Sequence, residues 1–213
     1  MGKLKQGILG GFSGKVGSVV GSSWRGISVM KAMPLSVANP RTEKQMEQRN
    51  ALSFAVAFSK DILADVIKPL NDRFAKKMSG YNRFIKMNIE AAKEIQIPAK
   101  KRGFVISKGC MGTTAATAVY NSGNGNLTVN WGTDLTNSMQ SASDRAFIVV
   151  TDSIENLTTY SANFVTRSNG SVYINVRSIV QHDDFSGTLY VYVSFLSEDG
   201  RRCSNTTVAE VAI

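Results

Sequence analysis

The side chains that could carry chemistry in this 213-residue chain are few. There is one histidine, His182, followed by Asp183 and Asp184, and there are two cysteines, Cys110 and Cys203. A metal centre needs several such groups converging on one point. Neighbouring residues on a strand leave opposite faces, so His182 and Asp183 make a poor chelate without help from elsewhere. The reading is a polar loop between strands, with no metal. Either cysteine could be paired with His182 as nucleophile and base, but any chain holding both residue types allows that. The cysteines read as two reduced, partly buried thiols; a bridge stays open, because both lie in the C-terminal half. Acidic residues are scarce in the N-terminal half, which argues against a paired-carboxylate site. The expectation is no enzyme, no cofactor and no small-molecule substrate.

The stretch from Gly14 to Gly26, GKVGSVVGSSWRG, invites comparison with a phosphate-binding loop. That cradle needs G-x-x-x-x-G-K followed by Ser or Thr, whose hydroxyl holds the metal. Here Val16 follows Gly14-Lys15, and Leu9 stands where the first glycine belongs. The G-x-G-x-x-G spacing fails as well. The glycines read instead as sites of tight turning and close backbone approach, with Val16, Val19, Val20, Trp24, Ile27, Val29 and Met30 between them. Such a pattern predicts short twisted strands, with a hairpin turning near Ser22-Ser23.

The remaining chemical signal is positive charge. The chain carries 25 Lys+Arg and 16 Asp+Glu, a net charge of +9. Residues 1–102 hold 19 basic and 7 acidic side chains, net +12, and residues 103–213 hold 6 and 9, net −3. Lys15, Arg25 and Lys31 lie in the glycine-rich part, and Arg73, Lys76, Lys77, Arg83 and Lys86 gather around a break between two helical segments. These residues are candidates for contact with phosphate or with an acidic partner, against the plainer reading of a solvated face. The interleaved aromatics Trp24, Phe74, Tyr81 and Phe84 suit a core at least as well as a base-stacking platform. No apolar run reaches the ~20 residues of a membrane helix, and no membrane partner is expected. The N-terminus has no secretory pattern, and Gln6 stands where myristoylation needs Ser or Thr.

Three parts are expected to position these residues. Residues 1–40 form a glycine-rich β arm, with 1–13 extended. Residues 41–102 form a basic helical domain. There, Thr42 and Gln45 fit a capping box. Ala51, Ala55, Phe58, Ile62 and Val66 follow at helical spacing, with Leu52 and Leu63 widening the stripe. Pro69 should end or kink that helix. A shorter segment spans 70–78, and a second helix spans 81–95, with Phe84, Ile85, Ile89 and Ala92 apolar. Residues 103–213 form an antiparallel β-sandwich of immunoglobulin or fibronectin type III kind. Its strands are expected at 104–107, 117–120, 126–131, 146–151, 160–166, 172–177, 188–196 and 202–211. In the segment 188–195, Leu189, Val191, Val193 and Phe195 point one way, and Tyr190 and Tyr192 point the other. The fold class is α+β.

Three motifs in order carry a resemblance: Gly14 to Gly26, then Asn39-Pro40-Arg41-Thr42-Glu43-Lys44-Gln45 with Arg49 and Phe54, then Gly80-Tyr81-Asn82-Arg83-Phe84. Together they resemble a family of proteins from Bacteroidota and from the phages and prophages that infect them. The N-P-x-T-x-x-Q stretch after a glycine-rich β segment also resembles small structural proteins of phage morphogenesis regions. The resemblance covers residues 1–95 and, more loosely, the remainder. It implies a virion component (capsid, head–tail or tail associated), with other virion proteins and further copies of itself as partners, located in the particle or otherwise in the bacterial cytoplasm. On that expectation Val19, Val20, Trp24, Arg25 and Ile27 are the assembly contacts, with Trp24 as anchor. The alternatives are a DNA-associated basic protein and a carbohydrate- or host-binding module resting on Tyr190, Tyr192 and the loops of the sandwich.

Overall fold

The structure is a computed structural model that describes residues 3–4, 10–24, 26–36, 39–93, 103–152, 158–177, 180 and 187–213. Among these, Lys3, Leu4, Trp24, Thr158 and 161–164 are described by their backbone alone. The fold is α+β, and the described residues form three antiparallel sheets. The expected division into 1–40, 41–102 and 103–213 differs from the division by contacts, which yields two compact units, Met1–Thr42 and Glu43–Ile213.

The first unit is an antiparallel meander of β1 (Lys3–Leu4), β2 (Phe12–Val16), β3 (Val19–Trp24) and β4 (Ile27–Ala32), paired in that order. Ser22 and Ser23 lie within β3, so the chain does not reverse there as expected. It reverses at Gly17-Ser18 and again between Trp24 and Ile27. Gly17 has φ 60° at the first position of a two-residue turn, where a residue with a Cβ is strained. Gly21 is required for a different reason: a Cβ there would sit 2.6 Å from the ring of Phe12. The glycines of the motif thus shape a sheet.

In the second unit, α1 (Glu43–Lys60) starts one residue after Thr42. Ala51, Ala55 and Phe58 on it are buried, as are Ile62 and Val66 beyond it, whereas Leu52 is exposed and does not widen the stripe. The helix breaks earlier than Pro69. A π-turn spans Leu63–Ile67, where Ile67 N–H donates to Ile62 O at 3.0 Å. The extra residue per turn keeps Ile62, Val66 and Ile67 all inward. Pro69 then falls in the first turn of α2 (Lys68–Asn71), where its missing N–H is no loss. After a 3₁₀ turn at Asp72–Phe74, α3 (Gly80–Lys93) begins with two side-chain caps. Ser79 Oγ accepts from Asn82 N–H at 3.2 Å, and Asp72 Oδ1 accepts from Gly80 N–H at 2.8 Å.

Among the described residues seven strands follow: β5 (Ala116–Asn121), β6 (Asn126–Trp131), β7 (Arg145–Asp152), β8 (Thr158–Thr166), β9 (Ser171–Asn175), β10 (Thr188–Leu196) and β11 (Thr207–Ala212). They form a sheet ordered β11-β10-β7-β8 and a sheet ordered β5-β6-β9. One apolar cluster joins the two sheets: Leu127, Val129 and Ile174 from the smaller, and Ile148, Val150, Val191 and Phe195 from the larger. The other face of the larger sheet is also buried. Phe147, Val149, Tyr190 and Tyr192 belong to a second cluster with Ala55, Phe58, Ile62 and Phe84. β10 is therefore buried on both faces. The helices and strands of this unit share one interior, so the expected boundary at 102/103 separates no compact units. At about 1.5–3 kcal/mol per buried large apolar side chain, the helix-facing cluster outweighs any gain from leaving the tyrosines in water.

Phe58 is the hub of that cluster. Its ring lies 5.0 Å from Phe104, 6.2 Å from Phe84 and 5.9 Å from Tyr192. The segment 103–109 is a strap, and the strand expected at 104–107 is not formed. Its backbone groups bond mostly to side chains, although Ser107 O also accepts from Thr206 N–H at 3.2 Å. Asn71 Nδ2 donates to Ile106 O at 2.9 Å, and Thr206 Oγ1 accepts from Ile106 and Ser107 N–H, each at 2.9 Å. The last expected strand is shorter than 202–211: Cys203 makes an isolated bridge with Leu196, and β11 starts at Thr207.

Candidate assembly surface and basic residues

The N-terminal sheet has almost no interior. Among its described residues Gly21 is buried, and none of the buried hydrophobic side chains belongs to residues 1–42. Val16 is 56% exposed, Ile27 60% and Met30 70%. Of the expected assembly contacts, Val19 and Val20 are half-buried in β3, and Ile27 opens β4. Trp24 stands in register with Ile27 at the reversal. Arg25 lies outside the described residues. Lys15 sits in mid-strand opposite Val20, exposed. Val16, Val19 and Ala32 are neighbours on one face by register, and Lys15, Val20 and Lys31 on the other. Apolar surface therefore occurs on both faces. A sheet of this kind gains little from burial by itself.

The basic residues around the helical break divide into two groups. Lys76, Lys77 and Lys86 are exposed, and Lys77 takes a left-handed φ of 59°. Arg73 and Arg83 are engaged within the fold. Arg73 Nη1 donates to Asp199 O at 3.2 Å. Arg83 donates to Asn71 Oδ1 and to Lys108 O, each at 2.7 Å, with its guanidinium 5.6 Å from the Phe74 ring centroid. Arg83 thereby ties α3 to the strap and to α2. Tyr190 and Tyr192, the side chains on which a glycan site would have rested, are buried beneath the helices. Burial pushes the Tyr192 hydroxyl far above its usual range.

Sequence reasoning missed a buried ion pair. Arg167 is wholly buried; its Nε lies 3.2 Å from Asp144 Oδ2 and its Nη1 donates to Thr114 Oγ1 at 2.6 Å. Its guanidinium lies 4.0 Å from the centroid of the Phe195 ring, and its carbonyl accepts from Trp131 Nε1 at 2.9 Å. Desolvation lowers the Arg167 pKa, and Asp144 opposes that shift. No spacing in the sequence marks this pair; the one hint is that the strand-rich part holds few basic residues at all. The pair braces the two sheets and presents no reacting atom.

The thiols are both free, with Cys110 exposed and Cys203 buried. Burial pushes the Cys203 thiol up to about 11, which leaves it a poor nucleophile. Among the described residues no group of three or more His, Cys, Asp or Glu side chains could hold a metal ion. His182, Asp183 and Asp184 lie outside the described residues, as do Lys100, Lys101 and Arg102. A cleft of about 330 Å³ runs between Asp144 and Arg202, and another of about 370 Å³ runs between Met87 and Thr206. Neither is lined by a histidine or a cysteine. Among the described residues no helix is long and apolar enough to cross a membrane.

The model of the family of unknown function DUF6266 matches residues 11–209. The chain belongs to the DUF6266 family. No curated protein and no solved structure matches it. The DUF6266 match begins at Gly11, ahead of β2, and ends inside β11, so it takes in β2, β3 and β4 of the meander and the helix-and-sheet unit as far as residue 209, and leaves β1 outside.

Proposed function

We propose that this DUF6266 protein is a non-enzymatic structural subunit of a phage or prophage particle that assembles through its N-terminal arm. The observation that carries the reading is the four-stranded sheet of residues 1–42, whose described apolar side chains lie outside any buried cluster. A sheet with apolar residues on both faces and, among its described residues, almost no interior is stabilised by what it docks against. Repetition in a symmetric particle lets weak contacts of that kind add up. The motif resemblance to phage morphogenesis proteins supplies the setting, with Bacteroidota as hosts. In this reading residues 43–213 form the body, and its two packed sheets are a sandwich of immunoglobulin or fibronectin type III kind. Deleting residues 1–40 should leave the body folded and abolish incorporation into particles and self-association. Full-occupancy assembly of the truncated protein would overturn the proposal.

A second reading, association with DNA, is favoured by the exposed Lys15, Lys76, Lys77 and Lys86. It expects duplex binding that weakens steeply between ~50 and ~200 mM salt, because each phosphate contact releases a counterion. Absence of retention on DNA at low salt rules it out.

A further inference from the structure

The two edges of the N-terminal sheet differ in kind. One edge is β1, two residues long. The other is β4, six residues long, from Ile27 to Ala32. Exposed edge strands are templates for pairing, and proteins blunt them with brevity, charge, proline or a bulge. Among the described residues β1 offers an edge of two residues. β4 has no charge from Ile27 to Met30, its single charged residue is Lys31, and Pro34 comes only after the strand has ended.

The hydrogen-bond phase of β4 shows which groups face outward. Met33 N–H donates to Ser18 O at 2.7 Å, and the register runs from Val19 opposite Ala32 to Trp24 opposite Ile27. Bonded and non-bonded pairs alternate along an antiparallel ladder. Ile27, Val29 and Lys31 therefore direct their N–H and C=O toward β3, and Ser28, Met30 and Ala32 direct theirs away from it.

We infer that β4 pairs antiparallel with β4 of a second copy of this chain, about a twofold axis at Met30. This rests on the arm being the assembly element and names its partner and register. With the axis at Met30, Ser28 faces Ala32 of the second copy and Met30 faces Met30, so all three outward residues find partners at once. Shifting the axis along the strand leaves at least one of them unpaired. The result is one continuous sheet of two meanders, with the Met30 side chains, 70% exposed in the single chain, adjacent on one face. An isologous pairing of this kind closes on itself as a dimer.

Three full-length variants test it. Met30→Pro removes an outward N–H and leaves the β3 ladder bonds intact; it should convert the associated protein to a monomer by light scattering while its far-UV circular dichroism stays unchanged. Met30→Cys in a Cys110→Ser background, oxidised with copper phenanthroline, should give a covalent dimer, and Ser13→Cys, away from this edge, should not. Should the proline variant fail to fold, the cysteine variants decide alone. No dimer from Met30→Cys, or a dimer of equal yield from Ser13→Cys, overturns the edge pairing. If the 1–40 deletion still abolishes assembly in that case, the arm reading stands and only its partner and register fall.

Discussion

Asn88 and Val105 bond to each other in both directions: Asn88 Nδ2 donates to Val105 O at 2.9 Å, and Val105 N–H donates to Asn88 Oδ1 at 2.8 Å. A buried side-chain amide takes the place of a neighbouring strand for the strap, and Nδ2 also bonds to Phe84 O at 3.0 Å within α3. Asn88→Leu keeps the volume and leaves a buried N–H and C=O unpaired, at about 1–3 kcal/mol each. The expected loss is about 2–4 kcal/mol in urea unfolding. A loss under ~0.5 kcal/mol would show that water replaces the amide freely.

Arg167 and Asp144 are both fully buried, so removing one partner strands the other's charge. Arg167→Ala should cost about 3–5 kcal/mol, and Arg167→Met with Asp144→Leu should recover most of it. Equal instability of single and double variants would mean that the packing of the guanidinium on Phe195, rather than its charge, is what the sheets rely on.

Phe58 joins α1 to α3, the strap and β10. Helix and sheet should therefore melt together. Far-UV ellipticity at 222 nm and Trp131 fluorescence, read in a Trp24→Phe background, should give coincident transitions. Phe58→Ala should lower both by the same amount, about 3–5 kcal/mol. Separate transitions would refute a single interior.

Cys203 has a pKa raised by burial from 9.0 to about 11. Below pH 9 folded and unfolded states both hold the proton, and stability does not depend on this group. Between pH 9 and about 11 the unfolded state loses its proton first, so stability falls as pH rises through that window. Urea midpoints of the wild type should drop more steeply there than those of Cys203→Ala. At pH 8 a disulfide reagent should label Cys110 in the native protein and reach Cys203 only after unfolding.

Gly21 lies under the Phe12 ring. Gly21→Val should displace that ring and open the β2–β3 pairing. Amide exchange across residues 12–32 should speed up by more than tenfold, with exchange in β7 and β10 unchanged. Unaltered protection of β3 would show that the glycine is there for another reason.

Much of this architecture is legible in the residues. The alternation of Leu189, Val191, Val193 and Phe195 against Tyr190 and Tyr192 is the one found, because side chains on a strand repeat every second position. Asn126–Trp131 and Thr188–Leu196 are strands at the expected bounds. The failures have physical causes. Tyrosine is as much at home under a helix as in water, so the pattern of β10 could not say that a layer of helices covers it. The strap reads as a strand because Phe104 and Ile106 are alternately apolar, while the side chains that replace its ladder, Asn71, Asn88 and Thr206, come from distant parts of the chain. A π-turn leaves no mark in composition, so the sequence points to Pro69 for a break that comes at Leu63–Ile67. For the candidate surface, the motif's glycines were legible as makers of turns and close contacts. The position of the second reversal and the phase of β4 needed the register.

Because Phe147, Val149, Tyr190 and Tyr192 are roofed by the helices, the strand-rich part is not a portable cassette. Grafted alone onto another scaffold, it would carry a greasy flank into solvent and drive precipitation. A fusion that keeps these strands covered therefore carries residues 43–213 together.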